Sequence, residues 1–488
     1  MLKQLKQLAG DSLIYGLSGI ITRMIGIFLI PIYTRIFIPK DYGIINLINT
    51  TFFLLGLMVV CALDTAAGRW FFDNTEPEDH KKTFGTWIWF QFLLSAGVAI
   101  IVIILSPYLV QTFFKEEGKP IYFILPAICL VTNMMPSIIS NWYRVHRKAV
   151  ATVVFSFAQT MLTICLTILF VIVLKWHITG VFAAMTISST IFSLVAIQQM
   201  NGWLAFKYFN KMRLKVMLKY ALPFIPAALA YWLLNSTDSY FIAYFKDKTE
   251  VGLFGIGASL AAGLGLFTGA FQQAWGPFAF SIMNEENAKQ VYANVFLLFG
   301  YIMGLLAALL MMFAPELLLL LTSPSYYSAA WVGGILGYNL VLIGFTYIAS
   351  IGISIAKVTA PYGIAMLVAT VITIILDIIL IPRFGKEGSA IATVLAQLFV
   401  PAYLFYKGQK VYPIPYNYAE AVLAMLLMAV AVVIIRFISF DSLAMQIIVK
   451  VITTFILVGF VIMKHRSKFG MIMEKFKKKK GSLIKAEI

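Results

Sequence analysis

FGTWIWFQFLLSAGVAIIVIIL, residues 84–105, runs for 22 positions without a charged side chain. A helix of about 20 apolar residues covers the roughly 30 Å hydrocarbon core of a bilayer. Within the stretch, Ile100–Leu105 shows no alternation of apolar and polar residues, so it does not read as a barrel strand. Outward from it the pattern recurs almost end to end. In the first half, similar blocks run from about Ser12 to Tyr33, Ile44 to Leu63, Ile121 to Trp142, Val150 to Leu174 and Ile178 to Trp203. The second half has them at about Tyr220 to Tyr244, Val251 to Trp275, Val291 to Phe313, Val332 to Ile355, Tyr362 to Ile381 and Glu387 to Phe405. Two more follow, Tyr418 to Ile435 and Leu443 to Met463. The expected fold is therefore an all-α integral membrane protein with about fourteen transmembrane helices. Composition agrees, since 61% hydrophobic residues, 12% charged residues and a mean hydropathy of +0.89 do not describe a water-soluble chain. Pro126, Pro136, Pro223 and Pro226 inside the blocks fit helices whose freed carbonyls are satisfied by neighbouring helices.

The cations set the expected topology. With both termini cytoplasmic, about 26 of the 38 Lys and Arg fall on the inner side, including Lys3, Lys6, Arg69, Lys81, Lys82, Arg144, Arg147, Lys148 and the C-terminal cluster. About ten lie outside, among them Lys40, Lys119, Lys246, Lys248, Arg383 and Lys386. The link with Glu285, Glu286 and Lys289 runs against the trend. The net charge of +17 thus reads as topology plus contact with anionic membrane lipids, and no nucleic acid partner is expected. A cleavable signal peptide is not expected, because the first block is too long and lacks a small-residue cleavage site. Cys61, Cys129 and Cys165 lie within spans and suggest neither a disulfide framework nor a metal site.

An internal repeat is the next layer. Asp41-Tyr42-Gly43 at the start of the second span is echoed by Glu250-Val251-Gly252 at the start of the eighth, an offset of about 209 residues. Pro107 and Pro315, Lys148 and Lys357, and Gly180 and Gly388 recur at nearly the same spacing, always at equivalent helix ends. The expected organisation is two six-helix bundles, residues 1–210 and 211–410, followed by two extra transmembrane helices at 411–465 and a basic cytoplasmic tail at 466–488. Six is even, so both bundles enter from one side as a parallel pseudo-repeat, an arrangement that suits alternating access to a cleft between them. The longest link, about Asp64 to Thr83, is too short to fold alone.

Polar residues inside the spans mark where a cleft could lie, because a charge at the bilayer centre costs about 2.5–3.5 kcal/mol or more. Arg23 is mid-span in the first helix, and Gly16, Gly19 and Gly26 share its face. Its guanidinium suits a phosphate, or a structural pair with Asp64 or Asp238. Asn46 and Asp64 are eighteen residues apart, five helical turns, and would share one side of the second span. Asp238 follows Asn235 by about a turn in the seventh span, and Asp377 shares a face with Thr370 and Thr373 in the eleventh. Such carboxylates can carry a coupling proton or Na⁺, or serve as structural groups. Gln272, Gln273 and Trp275 could bind sugar, or the tryptophan could anchor at the interface. Gly263 and Gly265 read as helix packing. The four histidines lie in links or the tail without metal-binding spacing, and no GxxxxGK[ST] motif occurs, so no enzyme activity and no cofactor are expected.

Several motifs in order carry a resemblance: Tyr33-Thr34-Arg35 leading to Pro39-Lys40-Asp41-Tyr42-Gly43, Asp64 to Arg69-Trp70, Tyr143-Arg144 with Lys148, and Leu222-Pro223-Phe224 with Asp238. Val251-Gly252-Leu253-Phe254, Ala274-Trp275-Gly276-Pro277 and Ile381-Pro382-Arg383-Phe384-Gly385 follow. Over nearly its whole length the chain resembles the polysaccharide transporters, or lipid-linked oligosaccharide flippases, of the superfamily that includes the multidrug and toxin extrusion carriers. The resemblance implies a flippase in the bacterial cytoplasmic membrane. It would move undecaprenyl-diphosphate-linked oligosaccharide to the outer leaflet for O-antigen, capsule or exopolysaccharide assembly, with polymerase and chain-length machinery as partners. Arg23, Asn46, Asp64, Arg69, Asn235, Asp238, Gln272 and Gln273 are the expected substrate-cleft residues, and Asp238 and Asp377 the ion-coupling candidates. The chain departs from the pattern at Ser239, where relatives often have Arg, at Asp377, where they often have Asn, and in lacking an eighth-span arginine. The last departure weighs against the lipid II branch. An ion-coupled drug or organic-cation exporter shares the architecture and is the alternative, with a polymerase or ligase less favoured because the outer links are short.

Overall fold

Helices form wherever the apolar blocks lie, because in hydrocarbon each backbone N–H and C=O must be paired within its own segment. The computed structural model describes residues 29–73, 76–114, 117–358, 360–438, 442 and 445–464. The second span is Pro39–Val60 and continues after a break as Leu63–Asp73; the third is Pro77–Phe113. The fourth comprises Ile121–Thr132 and Met134–Val145, the fifth is Ala149–Thr167 ending in a π-helix over Ile168–Val173, and the sixth is His177–Gln199. A linker helix, Lys211–Ala221, leads to the seventh span, Ile225–Ser236 with Asp238–Phe245, and the eighth, Lys248–Ala262 with Gly265–Ser281. Ala288–Leu321 and Ala330–Ile355 are the ninth and tenth; Tyr418–Phe437 and Met445–Lys464 are the last two.

Ten of these helices are long and apolar enough to cross a bilayer alone, and two bent pairs raise this to twelve. Ala360–Val411 is 52 residues long and holds two spans, because Gly385 adopts φ 57° and ψ −134°. Only glycine takes that conformation readily. The second to fourteenth expected spans are thus all present, while the first, with Arg23, lies largely outside the described residues.

Local chemistry fixes the ends. Pro39 and Pro77 occupy first-turn positions where a missing N–H costs nothing. The Asn210 and Asp247 side chains accept the N–H groups of Arg213 and Glu250, at 2.9 and 2.8 Å, and so start the linker helix and the eighth span. The fourth and tenth spans end alike. Arg147 and Lys357 are left-handed, and the next residues, Lys148 and Val358, donate back to Tyr143 and Ile353 at 2.8 Å. This shared cap places the repeat in the backbone itself.

The two halves meet through the second and eighth spans. A Cβ on Gly43 would lie 1.8 Å from the Lys248 carbonyl oxygen, and one on Gly252 would lie 1.8 Å from that of Pro39. Both residue pairs are related by the 209-residue offset, so the contact is reciprocal. Beside it, Glu117 binds Lys40 at 2.6 Å and Lys248 at 2.8 Å, bridging the halves. Thr51 with Tyr240, at 2.7 Å, and Trp232 Nε1 to the Thr50 carbonyl, at 3.4 Å, continue the junction to mid-span. Beyond that point Phe53 and Met58 are half exposed. The linker helix, which the sequence division assigns to the second half, packs instead on the first. Its Met217 and Ala221 join Leu63, Phe84 and Trp87, and Arg213 meets Asp79 at 3.3 Å.

The last two spans dock on the ninth. Met428, Val432, Leu457 and Val461 surround Tyr301 and Met312, and the buried Lys450 binds Glu316 at 2.5 Å.

Candidate functional site

Asp238 and Asp377, 139 residues apart in sequence, come together in the second half. Asp238 starts the second segment of the seventh span, directly after the break at Thr237, and Asp377 faces it from the eleventh. They are 4% and 0% exposed, and their carboxyl groups lie within hydrogen-bonding reach of each other. The twelfth span supplies hydroxyls: Thr393 Oγ1 donates to Asp238 Oδ2 at 3.0 Å and Ser389 Oγ to Asp377 Oδ1 at 3.4 Å. The remaining oxygens, Asp238 Oδ1 and Asp377 Oδ2, accept from no hydroxyl or N–H donor among the described residues. No Lys or Arg pairs with either carboxyl among the described residues. A buried cluster of hard oxygen donors without a protein cation suits a proton or a small hard cation. Thr370 and Thr373 lie buried on the same helix face as Asp377, as the spacing predicts.

The other expected cleft residues divide. Asn46 braces the junction: its Oδ1 accepts from Ser239 at 3.1 Å and Thr50 at 3.4 Å, and its amide lies against Gly255. The expectation that Asn46 and Asp64 share one helix side fails, because Cys61 and Ala62 have φ of 49° and 52° and end the helix between them. Asp64 instead opens the helix that leads to Arg69. Arg69 is exposed near Asp73, at 3.7 Å, with its guanidinium over the Tyr220 ring. Trp275 is only 4% exposed and donates to the Tyr347 carbonyl at 3.2 Å, so it neither stacks on sugar nor anchors at an interface. Gln272 and Gln273 are exposed. The Asn235 backbone lies in the seventh span, and its side chain is outside the description. Gly263 marks a 47° bend in the eighth span rather than simple packing.

Sequence reasoning missed two features. The Lys450–Glu316 pair was signalled by a lysine inside an apolar block. A carboxamide group formed by Asn49, Gln91 and Asn133 gave no charge to notice.

Parallel halves, broken helices at membrane depth and a buried oxygen cluster in one half define a multi-pass membrane protein of the two-bundle transporter fold. The chain belongs to the family described as "Polysaccharide biosynthesis protein", which matches residues 8–283. Its fold resembles that of the lipid II flippase MurJ in an inward closed conformation, at a TM-score of 0.74 and 15% identity over 94% of this chain and 100% of that one. An inward-facing multidrug resistance MATE family transporter of the MOP superfamily superposes at 0.62, with 15% identity over 80% and 94%. An outward-facing member gives 0.53, with 16% identity over 83% and 94%. No curated protein matches the chain by sequence.

Proposed function

We propose that this protein is a flippase that moves undecaprenyl-diphosphate-linked oligosaccharide across the bacterial cytoplasmic membrane by alternating access, for surface polysaccharide assembly. The observation that carries the reading is the one-ended junction of the two halves. Among the described residues, the hydrogen bonds and ion pairs joining them, apart from the linker helix, run from the Glu117 end to mid-span and stop. With both termini cytoplasmic, as the distribution of cations supports, that end is the outer one and the cleft opens inward. The glycan headgroup would enter there while the polyprenyl tail stays in lipid. Domain limits at 410 and 465 belong to the same proposal, with the first limit moved from 210 to the end of the linker helix that packs on the first half, as do the polymerase and chain-length partners.

Asp238 and Asp377, with Thr393 and Ser389, form the ion-coupling site in this scheme. Loading it changes the charge buried between the seventh, eleventh and twelfth spans and so biases the angle between halves. An inside-negative potential adds a drive of about 2.3 kcal/mol per charge per 100 mV for outward passage of an anionic headgroup. Arg23 is the proposed diphosphate contact, with Asn46, Asp64, Arg69, Asn235, Gln272 and Gln273 as further cleft candidates. The test is reconstitution in liposomes with fluorescent lipid-linked oligosaccharide. Protein-dependent movement between leaflets supports the proposal; movement of organic cations alone would favour the exporter reading.

A further inference from the structure

The first half contains a cavity of about 450 Å³, within the roughly 300–1,000 Å³ of small-ligand pockets. It lies between the second, third, fourth and sixth spans, reaching Val60 at the end of Pro39–Val60. Three observations give it a chemistry. Gln91 is 3% exposed, lines the cavity, and its carbonyl oxygen Oε1 has no partner among the described residues. A buried amide oxygen in a membrane is unfavourable unless something hydrogen-bonds it. The fourth span is broken at Asn133, which lines the same cavity beside Ser137. Pro136, three residues on, lacks the N–H that would reach Thr132, and irregular backbone at this depth occurs where it lines a cavity or is buried in protein. Finally, no described lining residue is charged, while Asn49, Gln91, Asn133 and Ser137 supply neutral donors and acceptors among apolar neighbours such as Phe52.

We infer that this cavity binds a neutral sugar unit of the lipid-linked glycan, its carboxamides pairing with hydroxyl or N-acetyl groups while the apolar wall covers the ring face. This rests on the flippase reading and deepens it. A diphosphate would want cations, which the described lining lacks, and a bare polyprenyl chain would leave the Gln91 oxygen unpaired. Sugar recognition is thereby separated from the headgroup charge and from the carboxyl pair in the other half.

The test uses full-length protein and the variants Gln91→Met and Asn133→Ala in lipid nanodiscs. Asn133 faces the cavity and is exposed, and its truncation gives up one exposed hydrogen bond, from Gln159 Nε2 at 3.2 Å, but no buried packing, which serves should Gln91→Met impair folding. Each is titrated with the lipid-linked glycan pool extracted from the source cells and, separately, with undecaprenyl diphosphate lacking sugar, and bound species are read by native mass spectrometry. We expect at least tenfold weaker retention of glycan-bearing lipid by either variant, with sugar-free lipid bound as by the parent. Equal loss of both probes, or unchanged glycan retention, overturns the sugar pocket and leaves the flippase reading standing. A parent protein that binds neither probe overturns the flippase reading and the pocket with it.

Discussion

Replacing Asp377 by Asn keeps the shape of a buried carboxyl while removing its capacity to ionise. If the pair with Asp238 couples ion movement to transport, Asp377→Asn and Asp238→Asn should each lower gradient-driven flipping by about tenfold or more, and Asp377→Asn should alter its pH dependence. Proteoliposomes with imposed Na⁺ or proton gradients provide the measurement, and an unchanged rate and pH profile would remove the coupling role. Lys450 is a different kind of buried charge. It is 2% exposed and held by Glu316, so Lys450→Met alone should destabilise the protein by about 3–5 kcal/mol, and Lys450→Met with Glu316→Met should recover most of that. Thermal unfolding in detergent distinguishes these outcomes. Asp238 and Asp377 were each legible as polar residues in apolar spans, but their meeting was not. Helical periodicity describes one span at a time, and nothing in it states which spans become neighbours. Gln91 escaped notice for another reason: an uncharged amide in an apolar block resembles ordinary packing until its orphaned oxygen is seen.

The spans themselves were legible because hydrocarbon thickness fixes their length, and the repeat because equivalent helix ends need equivalent residues. Breaks inside spans were harder to read. Cys61 and Ala62 turn left-handed without a glycine or proline to announce it, and the break before Asp238 falls at an ordinary threonine. At Gly385 the structure shows why glycine is needed, since a Cβ there would lie 2.6 Å from Glu250 Oε2 in addition to the strained backbone. At the junction, Gly43→Ala or Gly252→Ala drives a methyl into the opposing carbonyl. Overpacking of this kind costs about 1–3 kcal/mol and falls selectively on the state in which the second and eighth spans are crossed. A cysteine introduced at Lys40 in a background lacking the native cysteines should then react faster with an impermeant thiol reagent. Unaltered reactivity would mean that this contact does not hold the Glu117 end closed.

Across the whole molecule, the Glu117 bridge ties both halves at one end. Hydrogen bonds from Lys248 and Lys40 hold its carboxyl below the usual carboxylate range of about 4.5. A depressed pKa stabilises the bridged state at neutral pH, and that contribution is lost as pH falls below 4.5 and through the depressed value. Spin-label distances between the second and eighth spans should therefore lengthen at the Glu117 end in acid. Glu117→Gln should show the longer distance already at neutral pH; a distance independent of both changes would leave the bridge without a gating role. The proposed passage of a lipid-linked glycan from the inner to the outer leaflet rests on the family and on this junction. The most direct test is to deplete the protein in cells lacking a redundant flippase, extract lipid-linked oligosaccharide for mass spectrometry, and probe its leaflet on intact spheroplasts. We expect completed oligosaccharide units to accumulate on the cytoplasmic face. Normal amounts, accessible from outside as in undepleted cells, would contradict the account.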